Sequence, residues 1–478
     1  MSDVLQCSQI SQFMIMGGNS MLSAWISGLR KDMRDIFGFH NEDAKGRTVY
    51  IFCVILNAFY NVFITGVFYT GFLSMNGMSI TDAGIVTFIP YLGNMFSVFS
   101  SKILKHFKRR KPIMIAAKIY FYAMYIIAAT IMPQFVLDPQ QRLYWFAAIV
   151  FLAYALYSPF DPGFVIWFYR FFPEDDARRS RYLLYQQIAA SIVASIILIF
   201  SGVITDAVSN AENQRALING MRYFAFVLVL IEIAIQVQAK EYPVPPEQPL
   251  SMKQIFTLPL RYKKFMYCTL LMFAWNYNGN LNNGLWTYHL LNHMDFSYTL
   301  INSMSVMGTI ILLTTSGIWQ KVLARYSWIK TFGLALIIWV PTEVFFFIMS
   351  PETTWLYVPL CIAQHILCVG INLSYANILY MNLPKENETA LIAFNTIGRN
   401  FLAFLGLITG TYVSSITGDT AVPMLGMQVY SVQFTTLMRG VVMLVLGVLL
   451  VRCWRAFTPD ADIALIEQAE AQRKKTKR

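Results

Sequence analysis

Twelve predominantly apolar stretches, each about 20 residues or longer, run through this 478-residue chain and constrain its fold more than any other feature. They lie at Val49–Leu73, Thr81–Leu104, Pro112–Met132, Leu143–Phe168, Tyr182–Ile204 and Gly220–Ala239, then at Lys263–Leu290, Tyr298–Gln320, Ile329–Met349, Thr354–Tyr380, Ala390–Ser415 and Ser431–Cys453. About 20 apolar residues are what a helix needs to cross a bilayer's hydrocarbon core. With 56% hydrophobic and only 13% charged residues and a mean hydropathy of +0.49, the chain is far more apolar than a globular domain. The expected fold class is therefore an all-α membrane protein with twelve transmembrane helices, which the internal repeat described below divides into two pseudo-symmetric six-helix bundles.

The net charge of +11 would suit nucleic acid, but Lys and Arg sit in short loops between apolar stretches. They fill the loops around 102–111, 170–181, 240–264 and 321–330 and the C-terminal end, whereas Ser74–Ile80, Asn292–Ser297, Ser350–Thr353 and Ile416–Tyr430 contain none. Arg142 and Arg215 are exceptions. Basic loops stay on the cytoplasmic side, so the alternation predicts an inner (plasma) membrane protein with both termini cytoplasmic and no nucleic-acid partner. The expected organisation is a cytoplasmic tail over 1–47, bundles over 48–239 and 263–456, a linker over 240–262 and a basic tail over 457–478. No removable signal peptide is expected. Met21, Trp25, Leu29, Met33 and Ile36 recur at helical spacing beside Arg30, Lys31 and Arg34, the pattern of an amphipathic helix lying on the membrane or on the cytoplasmic loops. The six Cys residues form no metal-type pair, so neither a disulfide framework nor a metal site is expected.

The two halves repeat each other. The basic run Lys102–Lys111 is echoed by Lys321–Arg325 and Lys330; Gly66, Ser79 and Thr81 match Gly284, Ser297 and Thr299 at one offset. Tyr169 and Pro173 match Tyr380 and Pro384 at a nearby offset, which sets Asp161 opposite Asn372. Internal duplication of this kind is typical of solute transporters.

Two six-helix halves, a long basic central connection and a basic motif after the second helix of each half make the chain resemble the major facilitator superfamily, from Thr48 to Ala456. That family's loop motif runs approximately Gly-x-x-x-Asp-Arg-x-Gly-Arg-Arg. Here Arg109, Arg110 and Gly317 fit it, but Lys105 and Lys321 replace the Asp, so the family's acidic gate lock does not carry over. By this resemblance Lys105, Arg109, Arg110 and Lys321 are gating candidates, with Asp175 as one acidic partner. The fifth stretch lacks the Gly-Pro pair of the family's drug antiporters, which argues against drug efflux.

The resemblance also implies that the first, fourth, seventh and tenth helices line a cavity, and polar residues concentrate on those stretches. Asn57 and Asn61, with Tyr60, share a helix face; Trp275, Asn276, Asn280 and Asn283 lie in the most polar stretch of any apolar segment; Asn372, Tyr375 and Asn377 lie on the tenth. Asn amides both donate and accept, and aromatic faces stack on rings, a combination suited to sugar-like or nucleoside-like solutes. Hydrogen bonding between helices is the alternative for each Asn. Gly279 and Gly284 suggest local unwinding of the seventh helix.

Charges inside a bilayer are costly, so each is a functional candidate. Asp161, Glu343 and His365 are candidates for coupling to a proton or sodium ion. Asp161 alternatively caps a half-helix that begins at Pro162. Glu232 and Glu343 fall on helices peripheral in the family, which favours pairing with a neighbouring donor; Lys118 and Arg399 are placed to snorkel outward. The expected function is secondary active transport of a small polar organic solute by alternating access, through a monomer in a lipid bilayer with no cofactor. Export of amphipathic compounds and a non-transporting membrane sensor are the alternatives. The absence of a phosphate-binding Gly-x-x-x-x-Gly-Lys-Ser/Thr loop disfavours an ATP-driven pump, and no nucleophile–base pairing suggests an enzyme.

Overall fold

A backbone in lipid must satisfy its polar groups internally, which leaves helices for a chain with apolar runs of this length. The computed structural model describes residues 37–104, 106–107, 109–173, 176–242, 256–325, 328–384, 388–424, 426–458 and 463. Nearly all of them are helical. The amphipathic segment expected near Met21–Ile36, and Lys105 and Asp175, lie outside the described residues.

Eight helices among the described residues are long and apolar enough to cross a membrane, and a bent pair, Pro139–Tyr157 with Asp161–Tyr169, makes a ninth if taken as one span. The difference from twelve has local causes. The second expected stretch is divided into Ile80–Asn94, a 3-10 turn at Met95–Phe99 and Ser100–Leu104. The fourth bends by 41° where Pro159 and Pro162 interrupt the hydrogen-bond ladder. The seventh divides into Lys263–Asn280 and Leu285–Asn292, and the eleventh, Glu388–Ser415, is continuous but carries Asn395, Thr396, Arg399 and Asn400.

The breaks follow the repeat. Thr65 is extended (φ −131°, ψ −179°) and separates Glu42–Ile64 from Gly66–Met75; Gly66 has φ +57° and its repeat partner Gly284 has φ +78°. Those left-handed values favour glycine. A methyl group at Gly66 would meet nothing within 4 Å, so Gly66→Ala should lower stability only by the backbone cost, about 1 kcal/mol. Chemical denaturation in detergent checks this; a loss several times larger would place the cost in packing. The matched Ser79 and Ser297 each donate order to the helix that follows. Ser79 exchanges hydrogen bonds with Asp82 at 2.8–3.2 Å, and Ser297 Oγ accepts from the Leu300 amide at 3.1 Å.

The chain forms two compact units. One comprises Met1–Met78, Leu92–Glu247 and Phe296–Val306; the other comprises Ser79–Tyr91, Gln248–Asp295 and Met307–Arg478. Each half therefore gives the start of its second helix to the other half's unit. Tyr50, Leu104, Met114, Trp167 and Phe168 pack in the first core, and Phe332, Leu336, Trp339, Met443 and Trp454 in the second. In the second unit the Trp328–Phe347 and Ser431–Phe457 helices approach closely at Gly333 and Gly447, where a Cβ on either would press on the other's backbone. Small residues at such crossings are how membrane helices pack. Phe200, Val203, Val441 and Val445 are at least half exposed, as lipid-facing side chains are. The loop after Ser415 carries a short hairpin, Val422–Met424 paired with Met427–Val429, which the sequence pattern does not indicate.

Candidate functional site

The first unit contains a cavity of about 380 Å³. Asn57 and Asn61 of Glu42–Ile64 line it, with Tyr122, Tyr154, Tyr157 and Asp161 from later helices. Lys118, Glu232 and Gln236 also line it, and a continuous polar network runs along this wall. Asn61 Nδ2 donates to Asn57 Oδ1 (2.7 Å), and Asn57 Nδ2 donates to Tyr60 Oη (2.6 Å). Tyr60 Oη donates to Glu232 Oε2 (2.8 Å) and lies 2.9 Å from Tyr122 Oη. Its single proton goes to the carboxylate, so Tyr122 is the donor in that last contact. Lys118 Nζ completes the network, 2.6 Å from Glu232 Oε1 and 3.2 Å from Gln236 Oε1.

Lys118 therefore does not snorkel outward. It is buried and paired with Glu232, which has the neighbouring donor that its position suggested. Tyr60 is fully buried and its hydroxyl is committed to the network. Asp161 is not the N-cap of the helix after the bend: it is that helix's first residue, Phe160 precedes it without a side-chain cap, and its carboxylate accepts from Tyr157 Oη at 3.0 Å. The carboxylate is thus presented to the cavity.

In the second unit the broken helix carries the other Asn cluster. Asn276 Nδ2 donates to Tyr375 Oη at 2.5 Å, and Asn280 Oδ1 accepts from Tyr91 Oη at 2.8 Å and from Asn283 Nδ2 at 3.3 Å. Arg399 lies 5.2 Å from the Tyr375 ring centre. Asn276, Asn280, Asn283 and Tyr375 are thus brought together. Trp275 instead packs against Phe332 and Trp339 in the core, and Asn372 is exposed, donating to Cys368 Sγ at 3.3 Å. Asn377 lies in Tyr357–Met381, but its side chain is outside the described set. His365 packs on Gly308, whose missing side chain makes room for the ring. A larger cavity of about 740 Å³, lined by Leu281, Met424, Phe434, Met438 and Val441, is almost wholly apolar and contains none of these polar groups.

Glu343 is fully buried, 3.3 Å from Arg439 Nη2, and accepts from Trp339 Nε1 at 2.8 Å. Each half thus buries one ion pair between its third and sixth apolar stretches, with the sign reversed: cation then anion in Lys118–Glu232, anion then cation in Glu343–Arg439. Sequence reasoning overlooked Arg439 and Arg222, although a lone basic residue inside an apolar stretch was the available signal. Arg222 is fully buried, donates to Thr130 Oγ1 and the Tyr125 carbonyl at 2.8 Å each, and stacks 4.2 Å from the Phe72 ring centre. The Tyr125 hydroxyl in turn donates at 3.2 Å to the carbonyl of Ile64, freed by the break at Thr65.

At the end of the first unit, the Arg110 and Lys111 amides donate to Glu241 Oε1 at 2.6 and 3.1 Å, and Lys111 Nζ donates to the Ala239 carbonyl at 2.8 Å. Glu241 is thus an acidic partner for the basic loop within the described residues. Tyr242 donates to Asp43 at 2.8 Å, and its phenol is pushed up to about 12 by burial and by that carboxylate. Arg109 is exposed, and the Lys321 side chain is outside the described set.

The sequence pattern of the Major Facilitator Superfamily matches residues 50–407. The chain belongs to this superfamily. It is a multi-pass membrane transporter and not an enzyme. Its fold is similar to those of the nucleoside transporter NupG (TM-score 0.60, 14% identity, 87% of this chain and 99% of that one) and a D-xylose–proton symporter (TM-score 0.59, 10% identity, 87% and 98%). A bacterial homologue of the iron transporter ferroportin is comparably similar (TM-score 0.61, 11% identity, 86% and 98%). No match is found among curated proteins. At these identities the likeness concerns the fold alone.

Proposed function

We propose that the protein is a secondary active transporter that moves a small, polar, uncharged organic solute, a nucleoside or a sugar, by alternating access. The observation that carries this reading is the first unit's cavity, which joins amide groups at Asn57 and Asn61 to a wall of tyrosines. Amides can match the paired donors and acceptors of hydroxyls or a heterocycle, and tyrosine faces can stack on a ring. The second contact set is Asn276, Asn280 and Asn283 with Tyr91 and Tyr375. The similar folds include a nucleoside transporter and a pentose symporter, in line with this class, and a ferroportin homologue, which is not. The amides and tyrosines of the cavity support the nucleoside or sugar reading.

Asp161, the carboxylate presented to this cavity, is the proposed coupling group for a proton or sodium ion; Glu343 and Glu232 are held in ion pairs. The proposal includes twelve spans, cytoplasmic termini and basic runs, and a monomer in the cell membrane. Export of amphipathic compounds has one observation in its favour, the apolar cavity beside Leu281 and Phe434. A thermal-shift panel separates the two. A nucleoside or pentose should raise the melting temperature of the wild type, and Asn57→Ala should weaken its binding by about 1–3 kcal/mol, the cost of an unpaired polar group. Stabilisation by amphipathic cations alone would favour export.

A further inference from the structure

Beyond the break at Gly284, the short helix Leu285–Asn292 ends in a cluster that solute binding does not use. His289 Nδ1 and His293 Nδ1 are 2.9 Å apart, and His293 Nε2 lies 3.1 Å from Asp419 Oδ1. The His293 ring stacks on Tyr430 with centroids 4.0 Å apart and planes 5° apart. Accessibility falls along this line: the Asp419 side chain is 39% exposed, that of His293 6%, and His289 is fully buried. His289 Nε2 has no hydrogen-bond partner. The cluster therefore runs from an exposed carboxylate to a buried imidazole.

The contact between two like atoms limits its protons. At 2.9 Å one Nδ1 donates and the other accepts, so exactly one proton lies between them. With both rings neutral, His289 donates through Nδ1 and His293 uses its Nε2–H on Asp419. One further proton makes His293 an imidazolium, which donates through Nε2 to Asp419 and through Nδ1 to His289, while His289 moves its own proton to Nε2. Three surroundings favour that cation at His293: a carboxylate, an aromatic face and an imidazole lone pair. A second added proton would set two N–H groups head to head and break the contact.

We propose that His293, framed by His289, Asp419 and Tyr430, is a proton-binding site, and that its proton fastens the Leu285–Asn292 segment of the broken helix to the loop after Ser415. It is a regulation of the transporter reading, since Asn276 and Asn280 sit on the other segment of the same helix, but proton binding itself does not depend on which solute is carried. The facing groups are compatible with it. Tyr288 meets the His293 ring edge-on, and Asp295 follows in an exposed turn. Of the helices packed around the segment, Ile80–Asn94 has Asp82 engaged by Ser79, Glu388–Ser415 has Arg399 over Tyr375, and Trp328–Phe347 and Ser431–Phe457 pair Glu343 with Arg439. Lys330 and Arg455 lie over Trp454.

The test uses full-length protein in detergent with 13C-labelled histidine rings, whose five histidines are assigned through His289→Gln and His293→Gln. The His293 ring should lose its proton at a lower pH in Asp419→Asn than in the wild type, and the His289 ring carbons should report its change of tautomer at the same transition. The stability linked to this proton is present at low pH and lost as pH rises through the His293 transition. Wild-type melting temperature should therefore gain about 2 °C or more relative to Asp419→Asn on going from about pH 8 to 5.5. A His293 transition unmoved by Asp419→Asn, or one to which the His289 ring does not respond, would overturn the proposal. Neither readout involves solute, so failure of the nucleoside or sugar reading would show separately.

Discussion

Glu232→Gln should destabilise the protein by about 3–5 kcal/mol, because it strands the Lys118 ammonium in a buried site without its carboxylate. It also removes the charge that orients Tyr60 and, through it, Asn57. Lys118→Met should cost a similar amount by leaving Glu232 unpaired. The double replacement should recover most of the loss, since a buried pair exchanged for neutral groups of similar size is often close to neutral. Denaturant melts of the three variants form a double-mutant cycle that checks this. Losses that simply add would mean that the two residues do not act on each other.

Gly410→Ala should cost about 3 kcal/mol or more, at the upper end for inserting a methyl group where neighbours cannot yield. The new Cβ would overlap the Leu281 carbonyl, at the break between Lys263–Asn280 and Leu285–Asn292. Gly406 faces the Tyr277 carbonyl and Gly398 the Phe273 ring, so the Glu388–Ser415 helix meets the broken helix along a glycine row. The same substitution at Gly66, which faces open space, isolates the backbone cost alone. Comparing the two melts separates packing from conformation, and equal losses would contradict the close approach at Gly410.

The helical membrane class was legible because apolar length is a local signal. So were the features that the repeat marks: Gly66 and Gly284 prove to be the helix breaks, and Ser79 and Ser297 the helix starts. Helix continuity was not legible, since an apolar run does not say where Thr65 turns extended or where the Met95–Phe99 stretch tightens. Gly279, which also suggested unwinding, lies inside the helix that ends at Asn280.

At the site, the Asn residues of the first and seventh stretches were visible as polar groups in apolar surroundings. Their partners were not. Lys118 and Glu232 are distant in sequence, and only packing brings them within 2.6 Å. Asp161 looked like a cap because Pro162 follows it, yet Phe160 takes the cap position and Asp161 is the first helical residue, with its carboxylate accepting from Tyr157. The His289/His293 pair had a usable signal in its four-residue spacing, which puts two rings on one helix face. Its meaning depends on Asp419 and Tyr430, which the sequence places far away.

The central claim is that this chain carries an uncharged polar solute, and counterflow in proteoliposomes tests it most directly. Vesicles loaded with unlabelled uridine or D-xylose and diluted into the labelled compound should accumulate label transiently, several-fold above protein-free vesicles, with the accumulation lost in Asn57→Ala. No counterflow of any nucleoside or sugar by correctly inserted wild-type protein would contradict the account.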